Sequence, residues 1–178
     1  MKKNKKKKYD KIGILGGTFD PPHEGHLNIS KIAIQKLKLN KIIWLITKQN
    51  PLKQKPYLSV SVRKQLSKNL IKNQKKISIK YLEDLGESKN TFSILKFFLK
   101  KKKKIKLFFL IGADNLINFN KWKKWKKIPE LAKIVVFARP NYSVKALNSI
   151  AAKKLKKKDW IYLNYKKINI SSSLIRKF

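Results

Sequence analysis

Short, near-continuous apolar runs alternate along this chain with segments of helical periodicity, and that alternation constrains the fold more than any other feature. Lys11 to Leu15, Lys41 to Ile46 (KIIWLI), Ile105 to Ile111 (IKLFFLI) and Ile134 to Ala138 (IVVFA) are strand-length and carry little polar alternation, so each must be buried on both faces. Between them, Leu27 to Leu37 places Leu27, Ile29, Ile32, Ala33, Ile34 and Leu37 on one broad helical face. Val62 to Ile71, with a cap at Ser59 or Ser61, and Phe92 to Leu99, with Thr91 as its cap, read as further helices. Asn115 to Lys127 is helical in one piece or two, and Val144 to Leu155 is another helix. Ile77 to Tyr81 and Trp160 to Leu163 are short strands, and Ser171 to Ser173 caps a last helical turn. Buried strands alternating with helices predict an α/β fold, a doubly wound parallel sheet with helices on both faces. Its ligand crevice should lie at the carboxyl ends of the strands.

A chain of 178 residues suits one domain. We expect that domain over residues 11–178, preceded by a frayed basic arm at residues 1–10, of which Met1 to Lys8 are nearly all Lys and Asn. The absence of Cys excludes a disulfide framework and a thiolate metal site. With two His and nine carboxylates, a protein-built metal cage is not expected. No apolar run reaches membrane-spanning length, and no apolar signal segment follows the basic start. A soluble cytoplasmic protein is the expectation.

The formal net charge is +37. Such a field attracts polyanions, and one reading is a nucleic-acid binder. The other is compositional: Lys, Ile and Asn abound while Arg occurs only at Arg63, Arg139 and Arg176. A nucleic-acid binder would draw on the planar guanidinium, so the composition favours a coding bias. The blocks at Lys100 to Lys104, Lys121 to Lys127 and Lys153 to Lys158 then read as solvated element ends. On either reading anionic substrates are drawn in, and salt weakens the attraction.

The densest signal is Gly16-Gly17-Thr18-Phe19-Asp20-Pro21-Pro22-His23-Glu24-Gly25-His26-Leu27. It lies between the first strand, which Gly16 and Gly17 should break, and the first helix. That is the phosphate position of a doubly wound fold, where free helix N–H groups and the dipole favour an anion. The two glycines let backbone approach a ligand. His23 and His26 are the only histidines, and their ring nitrogens can donate to phosphate oxygens as charge builds in a phosphoryl or nucleotidyl transfer. Either alone would pass for a polar loop residue; the pair inside this glycine- and proline-framed loop points to chemistry.

GGTFDPPHEGH resembles the signature of the HxGH nucleotidyltransferases, a Rossmann-like superfamily whose members transfer a nucleotide monophosphate and release pyrophosphate. The GGTFDP form resembles the nicotinate-nucleotide adenylyltransferases among them. Gly112-Ala113-Asp114-Asn115-Leu116, followed by Trp122-Lys123-Lys124-Trp125, is similar to that family's GAD and W-x-x-W segments. Arg139-Pro140-Asn141-Tyr142 resembles its RPGY stretch, with Asn141 where Gly is usual, a residue that also tolerates left-handed backbone. Ile170-Ser171-Ser172-Ser173-Leu174-Ile175-Arg176 resembles its ISSTxIR motif, and Thr91-Phe92-Ser93-Ile94-Leu95 more distantly its TxxTL segment.

The resemblance implies transfer of the adenylyl group of ATP to nicotinate mononucleotide, giving deamido-NAD and pyrophosphate in NAD synthesis. It implies that His23, His26 and Thr18 act at the transferred phosphate. Gly16, Gly17, Gly112, Asp114, Ser172, Ser173 and Arg176 would complete an ATP site, with Asp114 on the adenosine ribose and the hydroxyls and Arg176 on the phosphates. Phe19, Asp20, Lys53, Thr91, Trp122 and Arg139 would form the mononucleotide site, with Trp122 stacked on the pyridine ring and Lys53 on the phosphate. Mg²⁺ would arrive on ATP and keep its waters. Plainer readings stand beside these: Asp114 as a helix cap, Lys53 as a solvated loop residue, the serines as a capped turn, and Trp122 and Trp125 as core residues, the last favoured for Trp125. A related enzyme acting on nicotinamide mononucleotide is one alternative. A basic nucleic-acid binder stacking bases on the two tryptophans is the other, and it leaves the histidine motif unexplained.

Overall fold

The apolar runs assemble into six parallel strands: β1 (Asp10–Gly17), β2 (Lys41–Ile46), β3 (Ile77–Tyr81), β4 (Ile105–Gly112), β5 (Ala132–Phe137) and β6 (Trp160–Leu163). The computed structural model describes residues 9–50, 54–85, 90–102, 104–165 and 172–176; residues 1–8 of the expected arm lie outside them. The strand order is β3-β2-β1-β4-β5-β6, so the winding reverses between β1 and β4, where an open parallel sheet leaves a crevice.

Alternation along each strand sorts the core into two layers. Ile12 and Ile14, Ile43 and Leu45, Leu107, Phe109 and Ile111, and Ile134 and Val136 face one side. There they pack on Ile94, Leu95 and Phe98 of α3 (Thr91–Lys101) and on residues of the later helices. Leu15, Ile42, Trp44, Ile46, Leu110, Val135 and Phe137 face the other, against Leu27 and Ala33 of α1 (Glu24–Leu37) and the end of α2 (Val60–Leu70). The doubly wound α/β sheet expected from the sequence is therefore the fold. No helix among the described residues is long and apolar enough to cross a membrane.

Several boundaries differ from expectation for local reasons. Gly16 and Gly17 do not break β1: both pair with β2, opposite Leu45 and Ile46, because glycine also accepts extended backbone. Helix α1 starts at Glu24 because His23 caps it. Helix α3 is capped by Asn90, whose side chain accepts from the Ser93 amide, and not by Thr91. The segment after β4 is α4 (Ala113–Ile117), two 3-10 turns at Phe119–Lys121 and Trp125–Lys127, and α5 (Ile128–Leu131); Lys124, at φ 55°, breaks the helical path. The expected helix over 144–155 is two, α6 (Ser143–Leu147) and α7 (Ile150–Lys154), because Ser149 caps the second. The chain's last described turn is α8 (Ser172–Ile175).

Candidate active site

The turn from β1 into α1 holds both histidines by their backbone neighbours. His23 Nδ1 accepts from the Gly25 amide at 3.1 Å, and His26 Nδ1 accepts from the His23 amide at 3.3 Å. This is a reciprocal capping box built from imidazoles, satisfying two amides of the helix start. Because each Nδ1 accepts, the neutral rings carry their proton on Nε2. The rings lie 3.9 Å apart. His23 is 7% exposed, and its Nε2 is buried with no hydrogen-bond partner. Burial, and secondarily the charge of Arg139, pull its pKa down to about 4. At neutral pH it is thus an uncharged, desolvated N–H donor, the state suited to meet an anion.

The wall behind His26 is aromatic. Phe19 stacks on Trp44 with centroids 5.0 Å apart and lies 4.7 Å from His26. The Trp44 indole N–H donates to Ser30 Oγ at 2.8 Å, and Ser30 donates to the His26 carbonyl at 2.8 Å. Phe19 occupies left-handed backbone at φ 50°, a conformation costing about 1–2 kcal/mol, which its burial against two rings offsets.

Two cavities open at the carboxyl ends of the strands and meet at Gly16, Ile111 and Asn115. The smaller, about 110 Å³, lies toward β5 and is lined by Gly16, His23, His26, Gly112, Asp114 and Arg139, among others. Arg139 Nη1 pairs with Asp114 Oδ2 at 2.7 Å. A Cβ on Gly112 would sit 2.4 Å from Asp114 Oδ1, so glycine makes room for that pair. The larger, about 530 Å³, lies toward β2 and β3 and is lined by Gly17, Thr47, Lys48, Glu83, Thr91 and Trp122, among others. Its size suits a small-molecule ligand. Trp122 packs edge-on against Phe109 and tilted against Phe119, and Trp125 packs edge-on against Phe119. Both are half-buried against the core around Phe119.

The structure therefore brings Gly16, His23, His26, Gly112 and Asp114 together in one cavity, and Gly17, Thr91 and Trp122 in the other. Arg139, expected with the mononucleotide group, stands instead in the smaller cavity on Asp114. Asp114 is in the first turn of α4, whose cap is Gly112. Thr18, Phe19 and Asp20 line neither cavity. Asp20, 4% exposed, accepts from the Tyr57 and Leu58 amides at 2.7 and 2.8 Å, which makes it a latch between loops. Ser172 donates to the Pro21 carbonyl at 2.8 Å, and Arg176 donates to the Asp20 carbonyl. Both thus grip the turn that leads into His23 and do not line the smaller cavity. Lys53 and the Ser173 side chain lie outside the described residues. Asn141, at φ 64°, takes the left-handed backbone for which Asn substitutes for Gly.

Sequence reasoning missed Asn115, which lines both cavities, Tyr165 in the smaller one and Glu83 in the larger. It also missed Arg63, 1% exposed, whose guanidinium donates to the carbonyls of Thr18, Thr47, Lys48 and Leu58. Burial lowers its pKa, and the charges of Asp20, Tyr81 and Glu83 oppose that. The scarcity of Arg in so Lys-rich a chain was a signal that could have found it.

The cytidylyltransferase-like family profile matches residues 14–178. Among curated relatives, a probable nicotinate-nucleotide adenylyltransferase of Pelagibacter ubique (strain HTCC1062) is 45% identical over 174 residues, covering 98% of this chain and 96% of that protein. One of Ruegeria sp. (strain TM1040) is 32% identical over 182 aligned residues, covering 93% and 96%. Among solved structures, the Plasmodium falciparum nicotinic acid mononucleotide adenylyltransferase complexed with NaAD superposes with a TM-score of 0.77 at 23% identity, over 96% of this chain and 84% of that one, a likeness of fold. With the histidine turn, the paired cavities and near-complete coverage by these relatives, the chain belongs to the nicotinate-nucleotide adenylyltransferase family of cytidylyltransferase-like enzymes.

Proposed function

We propose that this protein works in the cytoplasm as a transferase of NAD biosynthesis, joining Mg²⁺-bound ATP to nicotinate mononucleotide to give deamido-NAD and pyrophosphate. The observation that carries the reading is the pair of cavities meeting at Gly16, Ile111 and Asn115 beside the uncharged, unpartnered His23 Nε2. Two substrates on either side of one glycine present two phosphates to each other at that junction. The relatives' names, and the NaAD bound by the Plasmodium falciparum enzyme, support the choice of substrates.

A phosphate oxygen of the mononucleotide attacks the α-phosphorus of ATP. A P–O bond forms there as the bond to the β-phosphate oxygen breaks, and pyrophosphate leaves. No proton need be removed from the attacking phosphate, so the protein's work is alignment and charge stabilisation. His23 and His26 donate Nε2–H toward the transferred phosphate. Asp114, held by Arg139, accepts from ribose hydroxyls. Trp122 offers its face to the pyridine ring in the larger cavity. Thr18, Lys53, Ser173 and Arg176 remain candidates for phosphate contacts. Arg176 and Ser172 serve first by fixing the Asp20–Pro21 turn.

Pyrophosphate release with ATP and Mg²⁺ tests the reading, with nicotinate mononucleotide, nicotinamide mononucleotide or neither added. Release that requires the acid mononucleotide supports it. Equal turnover of the amide would remove the acid preference, and no release with either would refute the reaction.

A further inference from the structure

The chain carries 46 Lys and Arg residues together, and only Arg63, Arg139 and Arg176 are Arg. Two of the three have evident partners at the site: Arg139 pairs with Asp114, and Arg176 grips the turn before His23. Arg63 touches neither cavity, yet it is the most deeply buried cation among the described residues, at 1% exposure. Its guanidinium donates to backbone carbonyls on three separate loops. Nε donates to Leu58 at 3.0 Å, Nη1 to Thr18 at 2.6 Å and Thr47 at 2.8 Å, and Nη2 to Lys48 at 3.1 Å. Thr47 and Lys48 line the larger cavity, and Thr18 follows Gly17, which lines it too. None of the four acceptors lines the smaller cavity.

The Lys48 peptide is held from its other side as well, its amide donating to Glu83 Oε1 at 2.8 Å. Asp20 accepts from the amides of Tyr57 and Leu58, so the 57–58 loop is fixed through both its amides and its Leu58 carbonyl. The whole wall is thus cross-braced by charged side chains that meet backbone. A lysine in this place offers one nitrogen and cannot span carbonyls on three loops at once. That geometry gives a physical reason why an Arg survives here in a chain that otherwise uses Lys.

We propose that Arg63 is a positioning residue for the mononucleotide: its guanidinium sets the Thr47–Lys48 wall of the larger cavity and holds the Thr18 carbonyl next to the lining Gly17, and so governs binding of that substrate and not of ATP. The proposal rests on the reading that the larger cavity takes the mononucleotide. Arg63→Lys and Arg63→Gln test it, with thermal melting and steady-state kinetics varying each substrate in turn. The expected result is a folded protein whose KM for nicotinate mononucleotide rises about tenfold or more. KM for ATP should stay within about twofold, and kcat should fall less than the mononucleotide KM rises. Glu83→Ala, which frees the same Lys48 peptide, should shift the same KM in the same direction.

Equal rises in both KM values, or no rise in either, would overturn the assignment while wild-type turnover left the reaction standing. Loss of folded protein in both Arg63 variants would overturn it too, since the guanidinium would then hold the fold and not the cavity. A wild-type protein that turned over neither mononucleotide would remove the reaction and this assignment together.

Discussion

Replacing Gly112 by Ala isolates the packing that fixes Asp114. The backbone at Gly112 is ordinary extended conformation, φ −79° and ψ 159°, so alanine meets no conformational penalty there. Its Cβ would instead lie 2.4 Å from Asp114 Oδ1 and 3.1 Å from Arg139 Cδ. The carboxylate must move by roughly 1 Å to restore ordinary contact, which pulls it from an Arg139 partner now 2.7 Å away. A charge-assisted hydrogen bond contributes about 1.5–3 kcal/mol. The Arg139 side chain is 35% exposed, so water replaces part of that and the loss falls to about 1–2 kcal/mol. For a chain of this length each kcal/mol moves Tm by about 2–4 °C, giving a drop of about 2–8 °C. If the carboxylate also holds the ribose, the same displacement raises KM for ATP by about 5- to 30-fold, with the mononucleotide KM unchanged. Melting and pyrophosphate-release kinetics read both. In an Asp114→Ala background the added methyl should cost much less, because its nearest obstacle is gone and the Arg139 side chain, freed of its partner, can give way. An unchanged Tm with ATP KM within twofold, or an equal cost in the two backgrounds, would refute the reasoning.

Other perturbations follow from the same geometry. His23 protonates with difficulty in the folded state, at about 4 against 6.5 for the ordinary group, first through burial and then through Arg139. Between those values the unfolded chain takes up a proton that the native protein refuses. Stability should therefore fall as pH drops from about 6.5 toward 4, by on the order of 2 kcal/mol after screening by solvent. Urea midpoints at pH 7 and 4.5 measure this; His23→Ala should flatten the difference and lower kcat by about 10²–10³, and a flat wild-type profile would contradict the burial argument. Trp122→Ala should raise the mononucleotide KM about five- to tenfold and leave that of ATP alone; a change in the ATP value would place the ring elsewhere. Asp20→Ala strands the Tyr57 and Leu58 amides and should lower stability by about 2 kcal/mol or more in a melt, whereas a neutral result would show that water replaces the carboxylate freely.

The fold was legible in the residues because its signals are local. Near-continuous apolar strands such as Lys41 to Ile46 cannot face water on either side, and the helical stripe of Leu27 to Leu37 can bury only one face. Together they left little besides a parallel sheet covered twice. The histidine turn was equally local: Gly16, Gly17, Gly25 and two imidazoles within one short stretch pointed to the first strand end as an anion site. Helix ends were less legible, because caps compete over one or two residues and the loser looks as suitable as the winner, as Thr91 does beside Asn90. What the sequence could not decide was the partner of each long side chain. Arg139 was expected with the mononucleotide group, and the fold laid it across Gly112 onto Asp114, 25 residues away. Asp20 and Arg176 stand in motifs that suggest ligand contact, yet they meet each other's loop 156 residues apart. Arg63 acts through carbonyls up to 45 residues distant, and a backbone acceptor leaves no trace in residue identity. Burial of the apolar runs follows from their own chemistry and their neighbours in sequence, so the chain alone determines it; the burial of Arg63 and Asp20 and the choice of polar partner follow from which loops tertiary packing brings within hydrogen-bond reach, and only the folded structure decides that.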